Sequence, residues 1–463
     1  MIDSAKHDIA ALSGDRSFLG HPRGLAYLAF SEAWERFSYY SMQALLVLYM
    51  ARQLLLPGHV EHIAGFSGFR AALESVYGRS LSTVGLSSAI FGAYSGLVYL
   101  APIVGGVVAD RLLGRTRTIV LGALLMVAGH FLLAFEASFL IALACLLAGV
   151  GFFKGNMASR VGELYSPGDP RRADAFQVYN VCINVAVIMA PLTAGTLGER
   201  VGWEYGFGLA GVGMLISLVI YLSGGRWLPV DPGVTRARRG PERPLAGHER
   251  RAILVLILIL PVLALGALGN QQINNVYMLW VPEHVDLVFF GRAMPNSWLV
   301  LIDAVVSLPC LLLVMAFWRV WSRRFPLPSD PVKISIGIAT SAVGVLALVA
   351  AAAISQGGHK ASIGWVFAFE LFNSLGFANL FPVGLALFSR AAPKPLAGTL
   401  IGVYYLHLFL SNNLVGWLGG LVERLSGVQF WLLHATLSGA AALAMLIIAR
   451  VFGHLLVPPA AQQ

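Results

Sequence analysis

The chain has 463 residues, is 57% hydrophobic and only 12% charged, and carries a formal net charge of +9, with a mean hydropathy of +0.74. Soluble domains carry about 25% charged residues, so this composition excludes a soluble globular protein and implies one that lives in a bilayer. The three cysteines, Cys145, Cys182 and Cys310, all sit in apolar stretches, which argues against a disulfide framework or a zinc site.

Apolar runs of about 20 residues or more, bounded by turn residues, predict twelve spans. They lie near 25–52, 84–112, 117–135, 138–163, 175–197, 204–223, 252–284, 296–320, 334–354, 362–390, 397–423 and 430–453. Several are longer than a bilayer needs, so tilting or kinking is expected. Pro102, Pro191, Pro261 and Pro382 fall inside the runs, and the 50 glycines suit close helix contacts. The first twenty residues lack an apolar core followed by a small-residue cleavage site, so no cleavable leader is expected.

In chain order, the polar start (1–24) precedes a first bundle of six helices (25–223). A basic linker (224–251) follows, then a second six-helix bundle (252–455) and a short tail (456–463). Arg226, Arg236, Arg238, Arg239, Arg243, Arg250 and Arg251 crowd the linker, and other even-to-odd connections are also basic. The positive-inside rule then puts the linker and both termini in the cytoplasm. Topology accounts for the basic excess, and no nucleic-acid partner is called for.

The first span reads E-A-W-E-R-F-S-Y-Y over 32–40. At 100° per residue, Glu32, Glu35, Arg36, Tyr39 and Tyr40 share one arc of roughly 140°. Charges at bilayer depth cost several kcal/mol each unless paired or facing a wet cavity, which marks a functional site. The bland alternative is a structural salt-bridge cluster. Between the second and third spans, G-V-V-A-D-R-L-L-G-R-T-R (106–117) joins Gly106, Asp110, Arg111, Gly114 and Arg115. Gly106 is read as permitting close helix approach and Asp110 as capping or pairing; a plain basic loop is the alternative. Lys154 is the one lysine inside a predicted span, and its bland reading is a side chain snorkelling to the interface. In the second half, Asp303 lies in the eighth span, with a structural role as its alternative. Glu370 lies in the tenth, near an end, where an interfacial charge is the plainer reading. His130, His407 and His434 read as core histidines. No catalytic constellation and no cluster at metal-ligand spacing is present in the sequence.

The G-x-x-x-D-R-x-x-G-R spacing resembles the signature loop of the major facilitator superfamily, and two halves of six helices agree with it. The E-x-x-E-R-F-x-Y-Y string resembles the first-helix motif of the proton-dependent oligopeptide transporter (POT) family. Further matches are V-Y-L-A-P-I-V-G-G-V-V-A-D-R-L-L-G in the second span and G-F-F-K-G-N-M-A-S-R-V-G-E-L-Y through R-R-A-D-A-F-Q-V-Y-N-V-C-I-N in the fourth and fifth. The resemblance implies an all-α membrane protein of the major facilitator fold. It further implies Glu32, Glu35, Arg36 and Lys154 as a proton-coupling network, with Tyr39, Tyr40, Tyr94, Asn156, Asn184 and Tyr404 among the substrate-binding residues.

Departures concentrate in the second half. Gln43 stands where the family usually has a cavity arginine, Asn270 where it has a glutamate, and Phe377 where the tenth-span glutamate meets a peptide's amino terminus. Asp303 stands where asparagine is typical, and Glu370 lies two turns before Phe377 on the same face. Both are therefore added to the expected coupling groups, with Asp303 taking over from the residue replaced by Asn270. The expectation is proton-coupled uptake of di- or tripeptides or peptide-like solutes. Protons are the coupling ion, with no other cofactor and no metal, and a monomer in a bacterial inner membrane is expected. The alternatives are a carrier of the same fold for a drug-like cation or nitrate, and a non-transporting receptor or scaffold.

Overall fold

The computed structural model describes residues 15–166, 169–231, 245–289, 291–393 and 396–456. Within these the chain forms seventeen α-helices and four strands of two residues each. Contacts divide the described residues into two compact units, 15–72 with 100–231, and 73–99 with 245–456. Most of the expected linker, including Arg236, Arg238, Arg239 and Arg243, lies outside the described residues.

The first unit begins with α1 (Arg23–Tyr49), followed by a wider π-type turn over Met50–Leu54. After α2 (Phe66–Tyr77) comes α3 (Thr83–Val108), through which the division between the units passes. The unit continues with α4 (Arg115–Leu132), α5 (Phe139–Glu163), α6 (Arg171–Ala190), the short α7 (Thr196–Arg200) and α8 (Trp203–Ser223). Within it α1 packs on α6 and α8, and α4 on α5 and α8. The α4–α5 crossing is tight because it is built on glycine: a Cβ at Gly122 would stand 2.8 Å from the Gly149 carbonyl oxygen. Small residues at such crossings let helix backbones approach in a membrane, where burial of apolar surface gives little drive between helices. At the turn from α3 to α4, Gly114 has φ +77°, a conformation that costs glycine nothing.

The second unit contains α9 (Gly247–Gly266), α10 (Leu268–Gln272), α11 (Val276–His284), α12 (Trp298–Trp321), α13 (Asp330–Ser355) and α14 (Gly364–Ala391). α15 (Ala397–Tyr404), α16 (Leu406–Gly419) and α17 (Gly427–Phe452) complete it. α13 packs on α14 and α17, α12 on α14, and α9 on α17. Glycine again sets the closest crossing, since a Cβ at Gly337 of α13 would lie 2.6 Å from the Gly376 carbonyl oxygen of α14. α17 starts with a capping box in which Ser426 Oγ accepts from Gln429 N and Gln429 Oε1 from Ser426 N. Two short pairings decorate this unit: β1 (Val285–Asp286) runs parallel to β4 (Ala361–Ser362), and β2 (Val288–Phe289) antiparallel to β3 (Arg292–Ala293).

All twelve predicted spans are present as helix. Nine helical stretches among the described residues are long and apolar enough to cross a membrane. The first span carries its charges, and the seventh and eleventh are broken into α9–α11 and α15–α16. The break before α11 is held by polar side chains: Gln272 Oε1 accepts the Val276 N–H at 3.2 Å. Discontinuous helices at membrane depth are stable where side chains take up the freed backbone groups. The segment between the first two spans contains the helix α2.

Candidate functional site

In the first unit, the arc read from residues 32–40 forms a buried cluster of charges. Arg36 Nε lies 2.8 Å from Glu32 Oε1 and 3.0 Å from Glu35 Oε2. Glu35 is fully buried, and Glu32 and Arg36 are 2% and 6% exposed. One guanidinium therefore serves two carboxylates within a single turn of α1, which is tolerable only because planar Arg presents several donors at once. Lys154 of α5 lies within electrostatic reach of Glu32, Glu35 and Arg36. The Arg36 guanidinium carbon stands 6.0 Å from the Tyr39 ring centroid, and Tyr39 meets Tyr40 edge to face at 5.3 Å. Tyr179 of α6 approaches both Glu32 and Arg36. Tyr179 is not distinguished by residue type alone, because a lone tyrosine in an apolar run reads as packing.

Not every residue singled out joins this cluster. Asn156 is a tether, donating to the carbonyl oxygens of Gly105 at 3.3 Å and Phe152 at 2.9 Å. Asn184 is exposed and bonds its own helix at Asn180 O. Gln43 is partly buried further along α1.

The 106–117 segment is anchored by partners the sequence reading did not name. Arg115 pairs with Glu163 at the end of α5, which also pairs with Arg160 at 2.9 Å. Arg160 is 2% exposed and donates to Pro229 O at 2.8 Å. Asp231 Oδ2 accepts the Thr116 N–H at 2.7 Å, capping α4 from beyond α8. Gly106 does not make the expected close approach: among the described residues nothing lies within 4 Å of the place its Cβ would take. Its neighbour Gly105 does, against the Gly151 carbonyl, because one residue along a helix turns the side-chain direction by 100°. Asp110 and Arg111 are exposed on the wide last turn, Ala109–Leu113.

The second unit holds Tyr94, Asn270, Phe377, Tyr404, Asp303 and Glu370. Tyr404 is fully buried and gives its hydroxyl to Phe381 O at 2.7 Å, a packing role. Phe377 stacks on Phe381 with centroids 5.4 Å apart, so an aromatic shelf occupies the place where the resemblance implies a carboxylate. Asn270 Oδ1 accepts from Gln271 Nε2 at 3.0 Å, and Gln271 Oε1 accepts from Asn412 Nδ2 at 2.9 Å. An amide chain thus runs from α10 to α16. Glu370 is not interfacial. It has no exposed surface and accepts a 2.8 Å hydrogen bond from the Tyr277 hydroxyl, inside a core of Phe369, Trp431 and Val345. Asp303 is partly exposed, with Oδ1 buried, and lies within electrostatic reach of Glu370 and Tyr277. His434 and His407 are core residues engaged with backbone oxygens at Phe430 and Tyr404.

Comparison with known proteins agrees with this geometry. A family model described as the POT family matches residues 116–235. The peptide transporter YePEPT of Yersinia enterocolitica is 28% identical, over 96% of each chain. A di-/tripeptide transporter of Lactococcus lactis is 27% identical over 94% of this chain and 97% of its own. The crystal structure of a peptide transporter POT in complex with sulfate superposes with a TM-score of 0.84 at 24% identity, covering 97% of this chain and 99% of its own. A POT family transporter in complex with 5-aminolevulinic acid superposes with a TM-score of 0.76 at 22% identity, covering 96% and 99%. These superpositions show that the chain has the major facilitator fold, and its long apolar helices make it an integral membrane protein. Sequence match, relatives and fold all point to similarity with POT family peptide transporters.

Proposed function

We propose that this protein is a proton-coupled symporter that takes up di- or tripeptides, or peptide-like solutes, by alternating access. The observation that carries the reading is the buried Glu32–Arg36–Glu35 cluster with Lys154 and three phenols around it, in a chain whose relatives are named peptide transporters. Protonating a carboxylate in such a cluster removes its hold on the basic partner. Any state in which that partner is otherwise satisfied then gains population. A proton moving down the membrane potential supplies about 2.3 kcal/mol per 100 mV, which can drive accumulation. The protein acts as a monomer in a bacterial inner membrane with both termini cytoplasmic, and protons are its only cofactor.

A second reading has a specific observation in its favour. Phe377 on Phe381, and Asn270 in its amide chain, leave no carboxylate at the two second-half positions where the resemblance implies one. The solute is then peptide-like but recognised without an acidic partner for its amino group, or it is a different solute altogether. Counterflow of labelled dialanine in proteoliposomes, competed by a panel of di- and tripeptides, amino acids, nitrate and organic cations, decides. Competition by peptides supports the symporter. Exchange competed only by nitrate or cations moves the chain to the rival carrier, and no exchange with any member favours a receptor or scaffold.

A further inference from the structure

The second unit holds a group of titratable side chains that the first-unit cluster does not use. Tyr277 on α11, Asp303 on α12 and Glu370 on α14 converge from three helices. Tyr277 Oη donates to Glu370 Oε1 at 2.8 Å, and both residues have no exposed surface. Asp303 interacts electrostatically with both. Among the described residues, Glu370 Oε2 and Asp303 Oδ1 are buried without a hydrogen-bond partner, and no basic side chain acts on either carboxyl.

The surroundings supply no counter-charge. α12 adds the Cys310 thiol, which faces Asp303 two turns on and lies 3.9 Å from Leu371 O. α13 contributes Val345 and Leu348 to the core around Tyr277 and Phe369. α17 brings Trp431 and His434, and the His434 ring is already engaged by Gln272 and by Phe430 O. His284 on α11 stacks on Trp280 and bonds its carbonyl oxygen. A buried carboxylate without a cation is costly, and two within electrostatic reach of each other repel. A proton is the neutraliser such a pair calls for, as in other paired acids.

Resting on the proton-coupled reading above, we propose that Asp303 and Glu370 form a proton-holding carboxyl pair in the second unit, with Tyr277 as the positioning residue, and that this pair couples proton movement to transport. Tyr277 occupies Glu370 Oε1, which leaves Oε2 as the oxygen that takes the proton. Asp303, the member with exposed surface, exchanges with solvent. A hydronium from the more acidic side gives its proton to Asp303, leaving water and forming one O–H bond. That bond breaks as the proton is shared with Glu370, and the proton later passes to water on the other side. The pair returns to its starting charge, and nothing is oxidised or reduced.

Two measurements on the full-length protein test this. Infrared spectra of the purified wild type should show a protonated-carboxyl stretch that shifts in Tyr277→Phe and is lost in the double variant Asp303→Asn with Glu370→Gln. A spectrum unchanged by the double substitution overturns the pair, whether or not dialanine is a substrate. In proteoliposomes, labelled dialanine and an internal pH dye read transport and proton entry together. Glu370→Gln and Asp303→Asn should each lower gradient-driven accumulation by roughly 5–150-fold, the range of a typical coupling between sites. The double variant should be no worse than either alone, while counterflow continues and peptide-linked acidification stops. Normal accumulation with an unchanged pH profile in Glu370→Gln overturns the coupling role. Failure of wild-type counterflow with every peptide instead sinks the transport reading, and the infrared result still decides the pair. Where Glu370→Gln does not fold, Tyr277→Phe carries the test through an altered pH profile at intact counterflow.

Discussion

Arg36 makes two buried glutamates tolerable within one turn of helix, and the energetics follow from its position. Its Nε lies 2.8 and 3.0 Å from the two carboxylates, with all three side chains nearly sealed from solvent. Removing one partner of such a buried set leaves an uncompensated charge, at a cost of roughly 3–5 kcal/mol. Glu35→Gln is therefore expected to abolish gradient-driven peptide uptake while exchange persists in part, and Lys154→Ala to abolish driven uptake as well. Proteoliposome assays of both variants check this, and wild-type accumulation in either would contradict the network. The shared arc of Glu32, Glu35, Arg36, Tyr39 and Tyr40 was legible because a helix repeats every 3.6 residues and charges are rare at this depth. The closure by Tyr179 was not, since it depends on how α6 packs on α1. Glu370 illustrates the same limit. Its place near a span end suggested an interface, whereas Tyr277 and the core around it bury it completely.

At the scale of elements, glycine and capping set the geometry that carries these side chains. The α13–α14 crossing leaves no room for a Cβ at Gly376, which would lie 2.5 Å from Gly337 O and 2.7 Å from Ser341 N. Gly376→Leu should lower stability by at least about 1–3 kcal/mol, the usual cost of overpacking. Gly439→Leu on α17 meets open space and should leave thermal unfolding in detergent unchanged or slightly raised. Equal effects at the two sites would contradict the packing argument. Asp231→Ala removes the acceptor for the Thr116 N–H. Loss of a helix cap costs about 0.5–2 kcal/mol, so a lower unfolding temperature is expected, and no change would show that the cap is replaced. Element order could be read directly from apolar runs and turn residues. The breaks around α10 could not, because a run of apolar residues looks continuous until its polar members bond their own backbone. Gln272 does so at the Val276 N–H. The carboxylate of Asp231 was likewise invisible as a cap, since it reaches α4 across 115 residues.

Across the whole molecule, the two units differ in chemistry. The first pairs acids with bases: Glu32 and Glu35 with Arg36, and Glu163 with Arg115 and Arg160. Among the described residues, the buried interior of the second holds amide chains, aromatic stacking and two carboxyls on which no basic side chain acts. That asymmetry was already visible as the replacements at Asn270 and Phe377, although their neighbours came only from the fold. It suits the proposed symporter, in which the first unit's charge cluster and the second unit's carboxyl pair would share the coupling. The most direct test is uptake of labelled dialanine into proteoliposomes under an inward proton gradient, with and without a protonophore. The account predicts accumulation above the external concentration that collapses when the protonophore is added. Concentrative uptake that ignores the gradient, or no transport of any di- or tripeptide tried, would contradict it.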